Sequence, residues 1–275
     1  MLGRDLVSSL ERQGETALGL TRKDLDITDA AAVTEAVRDS RPDVVVNCAA
    51  WTAVDDAEAH EDAALLVNGL GTRLVAAACA ASDLRFFHLS TDYVFYGDAS
   101  RPYAETDATG PRTAYGRSKL AGEQAVLELL PFSGYVVRTA WLYGQHGPNF
   151  VRTMIRLERE RATVDVVDDQ RGQPTWTVDV VGQLIALARA KAAPGIYHAT
   201  SSGEATWFGL ARETFRLLGA DPARVRPVAS SAYPRPAPRP AYSVLGHDAW
   251  ARAGIKPIPH WETRLQQALH HLDPA

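Results

Sequence analysis

Two side chains with helical spacing could together reduce a ketone. Tyr115 and Lys119 are four residues apart, so a helix would carry them on one face, one turn apart. The tyrosine hydroxyl could donate a proton to the alkoxide that forms as a hydride arrives. The lysine charge should lower the pKa of the tyrosine, and its ammonium could hold a cofactor ribose. The spacing alone is weak evidence, because the chain contains nine tyrosines.

A second polar feature lies upstream, where residues 84–89 predict a buried strand that ends in Ser90, Thr91 and Asp92. A hydroxyl at this position could polarise a carbonyl and stabilise the developing alkoxide. The alternative is a threonine that only ends the strand. The two features together favour carbonyl reduction more than either does alone.

Strand-like and helix-like segments alternate along the chain. Strands are predicted over 43–47, 84–89, 135–143 and 195–198, and helices over 57–81, 115–130, 207–218 and 261–271. This alternation predicts an α/β fold, a Rossmann-type doubly wound parallel sheet with helices on both faces. Ligands bind beyond the carboxyl ends of such strands, so the polar residues that close them are the first candidates for function.

The segment from Tyr233 to Pro240 contains four prolines, which exclude a helix. It could be a polyproline linker. It could equally be a rigid wall of a substrate pocket, and composition alone does not decide between the two.

The composition is that of an ordinary globular protein and limits its partners. The 275 residues carry a net charge of −4, so we expect no nucleic-acid partner. Cys48 and Cys79 are the two cysteines and lack metal-type spacing, which predicts no disulfide, no metal site of cysteines and a cytoplasmic location. We also expect no membrane partner, because neither a membrane-length apolar run nor an apolar signal region is evident.

Longer runs resemble those of a known enzyme family. They are LDITD (25–29), RPDVVVN (41–47), TAVD (52–55), STDYVF (90–95), ETD (105–107), YGRSKLAGE (115–123), RTAWLYG (138–144), DDQRGQPT (168–175) and RP (239–240). Taken in order, they make the chain similar over nearly its whole length to the extended short-chain dehydrogenase/reductases. More narrowly, the chain resembles the dTDP-4-dehydrorhamnose reductases.

The resemblance implies a reaction and a division into two lobes. The reaction is NAD(P)H-dependent reduction of the C4 keto group of dTDP-4-dehydro-L-rhamnose to dTDP-L-rhamnose. The lobes are an N-terminally incomplete dinucleotide-binding domain, 1–145 plus 176–199, and a substrate-binding lobe, 146–175 plus 200–275. Some relatives join subunits through magnesium and carboxylates, so a homodimer is a further expectation. Magnesium is left open and no metal-binding residues are assigned, because Asp5 alone is thin support.

The resemblance also assigns site residues. Tyr115 is implied as the general acid, Lys119 as its partner at the nicotinamide ribose, and Thr91 as the group that polarises the keto oxygen. Further implied cofactor contacts are Met1, Leu2, Gly3, Asp26, Ile27, Ala50, Trp51, Thr52 and Ser90. The implied substrate contacts are Thr91, Asp92, Trp141 and Arg239, with the Arg239 guanidinium at the diphosphate. Core packing is the alternative role for Trp141, and an exposed loop position is the alternative for Arg239. Trp51 stands where the family often has histidine.

The start of the chain departs from the family. The family begins with a strand and a Gly-x-x-Gly-x-x-Gly turn that cradles the cofactor diphosphate, whereas here Gly3 matches the last glycine and Met1 opens the chain. We expect the missing central strand to expose apolar surface and to weaken the grip on the diphosphate. Our explanation is a wrongly chosen start codon or a truncated record, which the nucleotide sequence upstream of Met1 would test.

Cofactor preference should depend on the segment after the second strand of the fold. NAD-preferring proteins place an acid there for the ribose hydroxyls, whereas this chain has Thr21, Arg22 and Lys23. Arg22 and Lys23 could bind a 2′-phosphate, so we predict NADPH, with NADH as the alternative. The competing interpretation is a pair of solvated loop charges.

Three other functions compete with this interpretation. One is reduction of another dTDP-4-keto sugar, as in streptose formation. A second is a binding subunit like the regulatory subunit of methionine adenosyltransferase, although the intact set of Thr91, Tyr115 and Lys119 weighs against it. A third is an epimerase or dehydratase of the same superfamily, which the runs around Trp141 and Asp169 disfavour.

Overall fold

A computed structural model describes residues 1–273, whose strands and helices alternate. The helices are Leu2–Arg12 (α1), Ala30–Ser40 (α2), Val54–Ala57 (α3), Glu61–Leu65 (α4), Thr72–Ala81 (α5), Ala114–Leu129 (α6), Phe150–Glu160 (α7), Thr177–Arg189 (α8), Trp207–Leu217 (α9), Asp248–Arg252 (α10) and Trp261–Leu272 (α11). The strands are Val44–Asn47 (β1), Arg85–Thr91 (β2), Gly134–Thr139 (β3), Leu142–Tyr143 (β4), Val164–Val167 (β5), Arg171–Gly172 (β6), Thr175–Trp176 (β7), Gly195–His198 (β8), Ser201–Ser202 (β9), Ala205–Thr206 (β10), Val225–Val228 (β11) and Ile258–His260 (β12).

The central sheet is parallel, with strand order β1-β2-β3-β8. Successive side chains of a strand point to opposite faces, and both faces of β2 are covered. Phe87 and Leu89 pack with α1 and α8 on one face, and Phe86 packs with α2, α5 and α6 on the other. The predicted Rossmann-type sheet is therefore confirmed. Thr91 pairs with Thr139, so β2 and β3 end level with each other.

The remaining strands form short pairs, β4 with β7, β5 with β11, β6 with β10 and β9 with β12. Helices α7, α9 and α11 pack around buried Tyr143, Trp176 and Leu265. Most of these elements fall in the predicted substrate-binding lobe. The lobe boundaries themselves stay a prediction, and residues 274–275 of that lobe lie outside the described residues.

The strand predicted over 135–143 is wrong in its second half. β3 ends at Thr139, and Trp141 has a φ of 46°, which is left-handed backbone that an extended strand cannot contain. The chain turns there and continues as β4, which pairs with β7 instead of extending the central sheet. The turn places Trp141 just beyond the carboxyl end of β3.

The apolar segment Glu61–Ala81 is one continuous helix, in which the π-helical residues Leu66–Gly71 join α4 to α5. Its length and composition would suffice to cross a membrane, contrary to the expectation that no such run exists. The helix packs along α6 and buries Asn68, Thr72 and Ala76. A core helix has the same properties, so the segment is weak evidence for a membrane span.

The N-terminal segment lies beside the start of the cleft described below. α1 begins at Leu2 and contains Gly3 in its first turn, where an added Cβ would lie 3.5 Å from Cβ of Cys48. Among the described strands β1 pairs with β2 alone. Between α1 and α2, Leu18 and Leu20 are 67% and 46% exposed, so large apolar side chains face solvent in this segment.

Candidate active site

A cleft of about 1080 Å³ opens where β1, β2 and β3 end. All predicted catalytic and substrate residues line it, namely Thr91, Asp92, Tyr115, Lys119, Trp141 and Arg239. Of the predicted cofactor residues, Met1, Leu2, Gly3, Ala50, Thr52, Ser90, Tyr115 and Lys119 line it as well. Within residues 1–273, Thr21, Arg22, Asp26, Ile27 and Trp51 do not contribute to this lining, and their roles stay a prediction.

The proline-rich segment forms part of the cleft wall. Tyr233, Pro234, Arg235 and Pro238 line the cleft together with Arg239. Of the two interpretations of this segment, the rigid pocket wall therefore fits the structure better than a bare linker.

The start of α6 fixes the position of Tyr115. Thr113 caps the helix by accepting a hydrogen bond from the Gly116 amide at 3.0 Å, and Glu58 accepts one from the Ala114 amide at 2.9 Å. A Cβ at Gly116 would lie 2.3 Å from the Tyr93 carbonyl oxygen. Glycine at this position therefore allows α6 to pack directly on the 3₁₀ turn after β2, which brings Tyr115 to Thr91.

Asn68 links the cofactor side of the cleft to the catalytic helix, and sequence reasoning missed it. Its side chain accepts a hydrogen bond from the Trp51 amide at 2.8 Å and donates to the Trp51 carbonyl at 3.1 Å. It also donates to Ser118 Oγ at 2.9 Å, and Ser118 Oγ donates to the Tyr115 carbonyl at 2.7 Å. A polar residue inside the apolar 61–81 run was the available signal, because buried polar groups need partners.

Thr91 and Asp92 form a buried polar pair at the end of β2. The Thr91 hydroxyl donates to Asp92 Oδ1 at 2.9 Å and accepts from the Tyr93 amide at 3.2 Å. Asp92 is 3% exposed, and its Oδ2 has no hydrogen-bond partner among the described residues. Burial raises the pKa of Asp92 to about 6, against the hydrogen bonds that favour its charged form.

Lys119 is buried and its ammonium is held from behind the cleft. Nζ donates to the Leu89 carbonyl at 2.6 Å and lies 3.2 Å from His88 Nε2. Burial lowers the pKa of Lys119 to about 8. Burial raises the pKa of Tyr115 to about 12, and Thr91 opposes this rise. The net shift runs against the predicted lowering, and the part that Lys119 plays in it stays a prediction.

Trp141 lies in a stack of aromatic rings at the cleft. Its ring is parallel to that of Trp207, with centroids 3.5 Å apart, and Phe150 packs on Trp207. The Trp207 indole donates to Gln170 Oε1 at 3.1 Å, which fixes the pair. Trp141 thus both packs and lines the cleft. Trp207, Phe150 and Gln170 also line it, and sequence reasoning missed them because they come from three separate segments.

Arg239 is neither free nor fully exposed. Its guanidinium donates to Asp55 Oδ2 at 2.7 Å and to the Ala237 carbonyl at 3.0 Å. The ion pair joins the proline-rich wall to α3, and both partners line the cleft. A ligand diphosphate at this place would share the guanidinium with Asp55.

The amino end of α1 suits an anionic cofactor. Met1, Leu2 and Gly3 line the cleft, and within the described residues no side chain caps this helix end. Backbone amides at a helix start attract phosphate. Ser90 lines the same cleft, and its buried Oγ has no partner elsewhere in residues 1–273. These groups fit a dinucleotide whose diphosphate lies at α1.

The loop that was expected to select the cofactor is held by its own residues. Asp24 Oδ2 accepts hydrogen bonds from the Thr21 amide at 2.8 Å and the Thr21 hydroxyl at 2.6 Å. Asp26 Oδ1 accepts from the Thr28 amide and hydroxyl at 2.9 and 2.7 Å. No acid stands at positions 21–23, but Asp24, three residues beyond Thr21, places its carboxylate on Thr21.

Asp5, the residue considered for magnesium, faces His146 instead. His146 Nε2 lies 3.5 Å from Asp5 Oδ1. Throughout residues 1–273, no three or more histidine, cysteine, aspartate or glutamate side chains are grouped so as to hold a metal ion. The question of magnesium, left open by the resemblance, stays open.

Known proteins share both the sequence and the fold of this chain. The family model described as the RmlD substrate binding domain matches residues 1–273. A dTDP-4-keto-6-deoxy-D-glucose reductase from Streptomyces niveus is 61% identical over 98% of this chain and 93% of its own length. A dTDP-4-dehydrorhamnose reductase from Streptomyces griseus is 59% identical over 98% of this chain and 90% of its own length.

A solved structure agrees with these sequence matches. The dTDP-4-dehydrorhamnose reductase from Bacillus anthracis, in complex with NADP, has a TM-score of 0.94 and is 37% identical, covering 98% of this chain and 94% of that one. Matches of this extent in sequence and in fold show common descent. The chain belongs to the dTDP-4-dehydrorhamnose reductase family of extended short-chain dehydrogenase/reductases.

Proposed function

We propose that the protein reduces the C4 keto group of a dTDP-linked 4-keto-6-deoxysugar, with dTDP-4-dehydro-L-rhamnose as the predicted substrate. The observation that carries this proposal is the meeting of Thr91, Tyr115 and Lys119 in one cleft with Trp141 and Arg239. A proton donor beside a flat aromatic surface and a cation fits a ketosugar attached to a diphosphate. A pure binding subunit would need no such proton donor.

NADPH is the proposed cofactor, and it would supply the hydride. The amino end of α1 at Met1 and Gly3 would hold its diphosphate, and Lys119 would contact the nicotinamide ribose. The support for NADPH over NADH is the Arg22–Lys23 pair together with the NADP complex of the Bacillus anthracis relative. A homodimer and a cytoplasmic location stay predictions.

Tyr115 is the proposed proton donor. Its proton would pass to the carbonyl oxygen as the hydride reaches the carbon, which gives the alcohol and leaves a phenolate. A pKa of about 12 keeps the Tyr115 hydroxyl protonated before the reaction at neutral pH, as a general acid requires. If its single proton turned from Asp92 Oδ1 to the Tyr115 oxygen, the Thr91 hydroxyl would stabilise the negative charge that remains.

A different configuration of the sugar is a second candidate. The Streptomyces niveus relative is named for dTDP-4-keto-6-deoxy-D-glucose and the Streptomyces griseus relative for dTDP-4-dehydrorhamnose. The two substrates share the dTDP group and the 4-keto-6-deoxy ring. The Trp141–Trp207 stack and the proline-rich wall are the surfaces through which their ring configurations could be distinguished.

The test is NADPH oxidation with the two 4-keto sugars, each with and without the 3,5-epimerase that interconverts their ring configuration. We expect turnover with at least one dTDP-4-keto-6-deoxysugar and a product hydroxyl at C4 by NMR. Turnover of the gluco-configured sugar without added epimerase would assign that sugar, whereas turnover of it only after the epimerase is added would assign the rhamno-configured one. Absence of turnover with every dTDP-4-keto sugar, with NADPH and NADH both tried, would contradict the proposal.

A further inference from the structure

His88 lies directly behind Lys119 and belongs to no role assigned so far. It is fully buried on β2, and its Nε2 lies 3.2 Å from Lys119 Nζ. Its other ring nitrogen, Nδ1, lies 3.3 Å from Asn47 Nδ2 at the end of β1. A histidine between an amide and a lysine can hold its ring proton on either nitrogen. The orientation of the Asn47 amide decides which nitrogen of His88 carries it.

The orientation of Asn47 is fixed by the backbone. Asn47 Oδ1 accepts a hydrogen bond from the Ala49 amide at 3.0 Å, and Asn47 Nδ2 is also 3.3 Å from Thr72 Oγ1. Turning the amide over would place its NH₂ group against the Ala49 N–H, two donors facing each other. The NH₂ group therefore points at His88 Nδ1, which must accept, and the single proton of the neutral ring lies on Nε2.

The consequence falls on Lys119. An Nε2–H group can bond to Lys119 only if the amine has a free lone pair, because an ammonium is a donor only. Lys119 keeps one N–H for the Leu89 carbonyl at 2.6 Å. We propose that His88, oriented by Asn47, is a positioning residue that stabilises the neutral amine of Lys119 and so brings its proton exchange towards the physiological range. The effect on the Lys119 pKa is independent of the proposed reductase function, and only its role in catalysis rests on that function.

The other charged groups around Lys119 do not replace this effect. Glu123, one turn along α6, favours the ammonium, but it is held by a bidentate ion pair with buried Arg138 at 2.7 and 2.9 Å. Cys48, which follows β1, also favours the charged form of Lys119, although burial raises the pKa of its own thiol to about 11. Tyr115 lies on the same helix face, and its pKa is raised to about 12. His88 is the group that contacts Nζ from β2.

The test measures the pKa of Lys119 directly. The chain has four lysines, and Lys23, Lys191 and Lys256 are all exposed, so ¹³C labelling of the ε-carbons should resolve Lys119 by NMR. We expect the pKa of Lys119 to rise by about 1 in His88→Phe, because one hydrogen bond to the neutral amine is lost. His88→Gln, whose amide can still donate, should keep the pKa close to that of the wild type.

The matched control is His198→Phe, a buried histidine on β8 that contacts Arg138 and the Gly246 carbonyl. It should leave the Lys119 titration unchanged. An unchanged pKa in His88→Phe, or an equal rise in His88→Gln, would overturn the inference. These outcomes do not depend on turnover, so they remain distinct from a failure of the proposed reductase activity.

A second measurement needs only the wild-type protein. Long-range ¹H–¹⁵N spectra report which ring nitrogen carries the proton. We expect the Nε2–H form for His88 and the Nδ1–H form for His198, whose Nδ1 faces the Gly246 carbonyl at 3.0 Å. An Nδ1–H form for His88 would refute the inference even if no variant folded.

Discussion

The wall formed by β2 and α6 and the loop of residues 21–28 both carry polar residues predicted to bind cofactor, but different contacts fix them. On the wall, Lys119 bonds to Leu89 and His88, thirty or more residues away in sequence, and is 2% exposed. In the loop, Thr21 and Asp24 bond to each other within three residues and are exposed. The wall is thus preorganised by the fold, whereas the loop only holds its own turn. We therefore expect substitutions on the wall to have larger effects than substitutions in the loop.

Removal of the proton donor should have the largest effect. Tyr115→Phe removes the hydroxyl but keeps the ring, whose centroid lies 5.6 Å from that of the Tyr93 ring. We expect kcat to fall about 10²–10⁴-fold, the usual contribution of a general acid, with Tm unchanged. Steady-state kinetics and thermal unfolding would measure both. Near-normal kcat in a folded Tyr115→Phe protein would remove Tyr115 from the catalytic role.

Loss of the Thr91 hydroxyl should rank second. Thr91→Val removes the group that bonds to Asp92 and stabilises the Tyr115 phenolate, so we expect kcat to fall about 10²-fold. Thr91→Ser keeps the hydroxyl and should recover most of the rate. Thr214→Val, which removes a buried hydroxyl bonded to the Leu210 carbonyl in α9, is the matched control and should leave kcat unaffected. A serine variant as slow as the valine variant would show that the hydroxyl alone does not explain the role of Thr91.

The wall and the loop also differ in how far the sequence could predict them. The sheet, the Tyr115–Lys119 helix and Thr91 at a strand end followed from apolar periodicity and motif spacing. The break at Trp141 did not, because a left-handed residue inside an apolar run has no sequence signature apart from glycine or asparagine. Asn68 and Trp207 escaped because their partners come from distant segments. The direction of the Tyr115 pKa shift escaped because burial, which opposes ionisation, is a property of the folded chain.

Asp92, directly after β2, should make the stability of the protein depend on pH. Its folded-state pKa of about 6 lies above the ordinary value of 3.8. Folding is therefore unaffected by this group below about pH 4, where both states hold the proton. Between about pH 4 and 6 only the unfolded state loses it, so the stability falls, and the full cost remains above about pH 6. At about pH 8, Asp92→Asn should be more stable than the wild type by up to about 3 kcal/mol, and the gain should vanish in acid.

Urea unfolding of both proteins across this pH range measures the difference. Asp107→Asn is the control of opposite sign, because the Arg101 ion pair lowers the pKa of Asp107. That variant should be less stable than the wild type at neutral pH. A stability gain in Asp92→Asn that is the same at every pH would show that shape, and not ionisation, is responsible.

The smallest effect should come from the loop, where Arg22 was predicted to select NADPH. Arg22 is exposed and is not part of the cleft lining within residues 1–273, so water and salt screen any contact with a 2′-phosphate. We expect Arg22→Ala to reduce the NADPH-to-NADH ratio of kcat/KM by about 5-fold, or about 1 kcal/mol, the upper range for an exposed charge pair.

Asp24→Asn should raise the ratio, because the Asp24 carboxylate on Thr21 repels a phosphate. Both effects should shrink at high salt, and Lys191→Ala, an exposed lysine elsewhere, should change nothing. A wild type that prefers NADH, with a ratio that neither Arg22→Ala nor Asp24→Asn changes, would show that the loop does not determine cofactor preference.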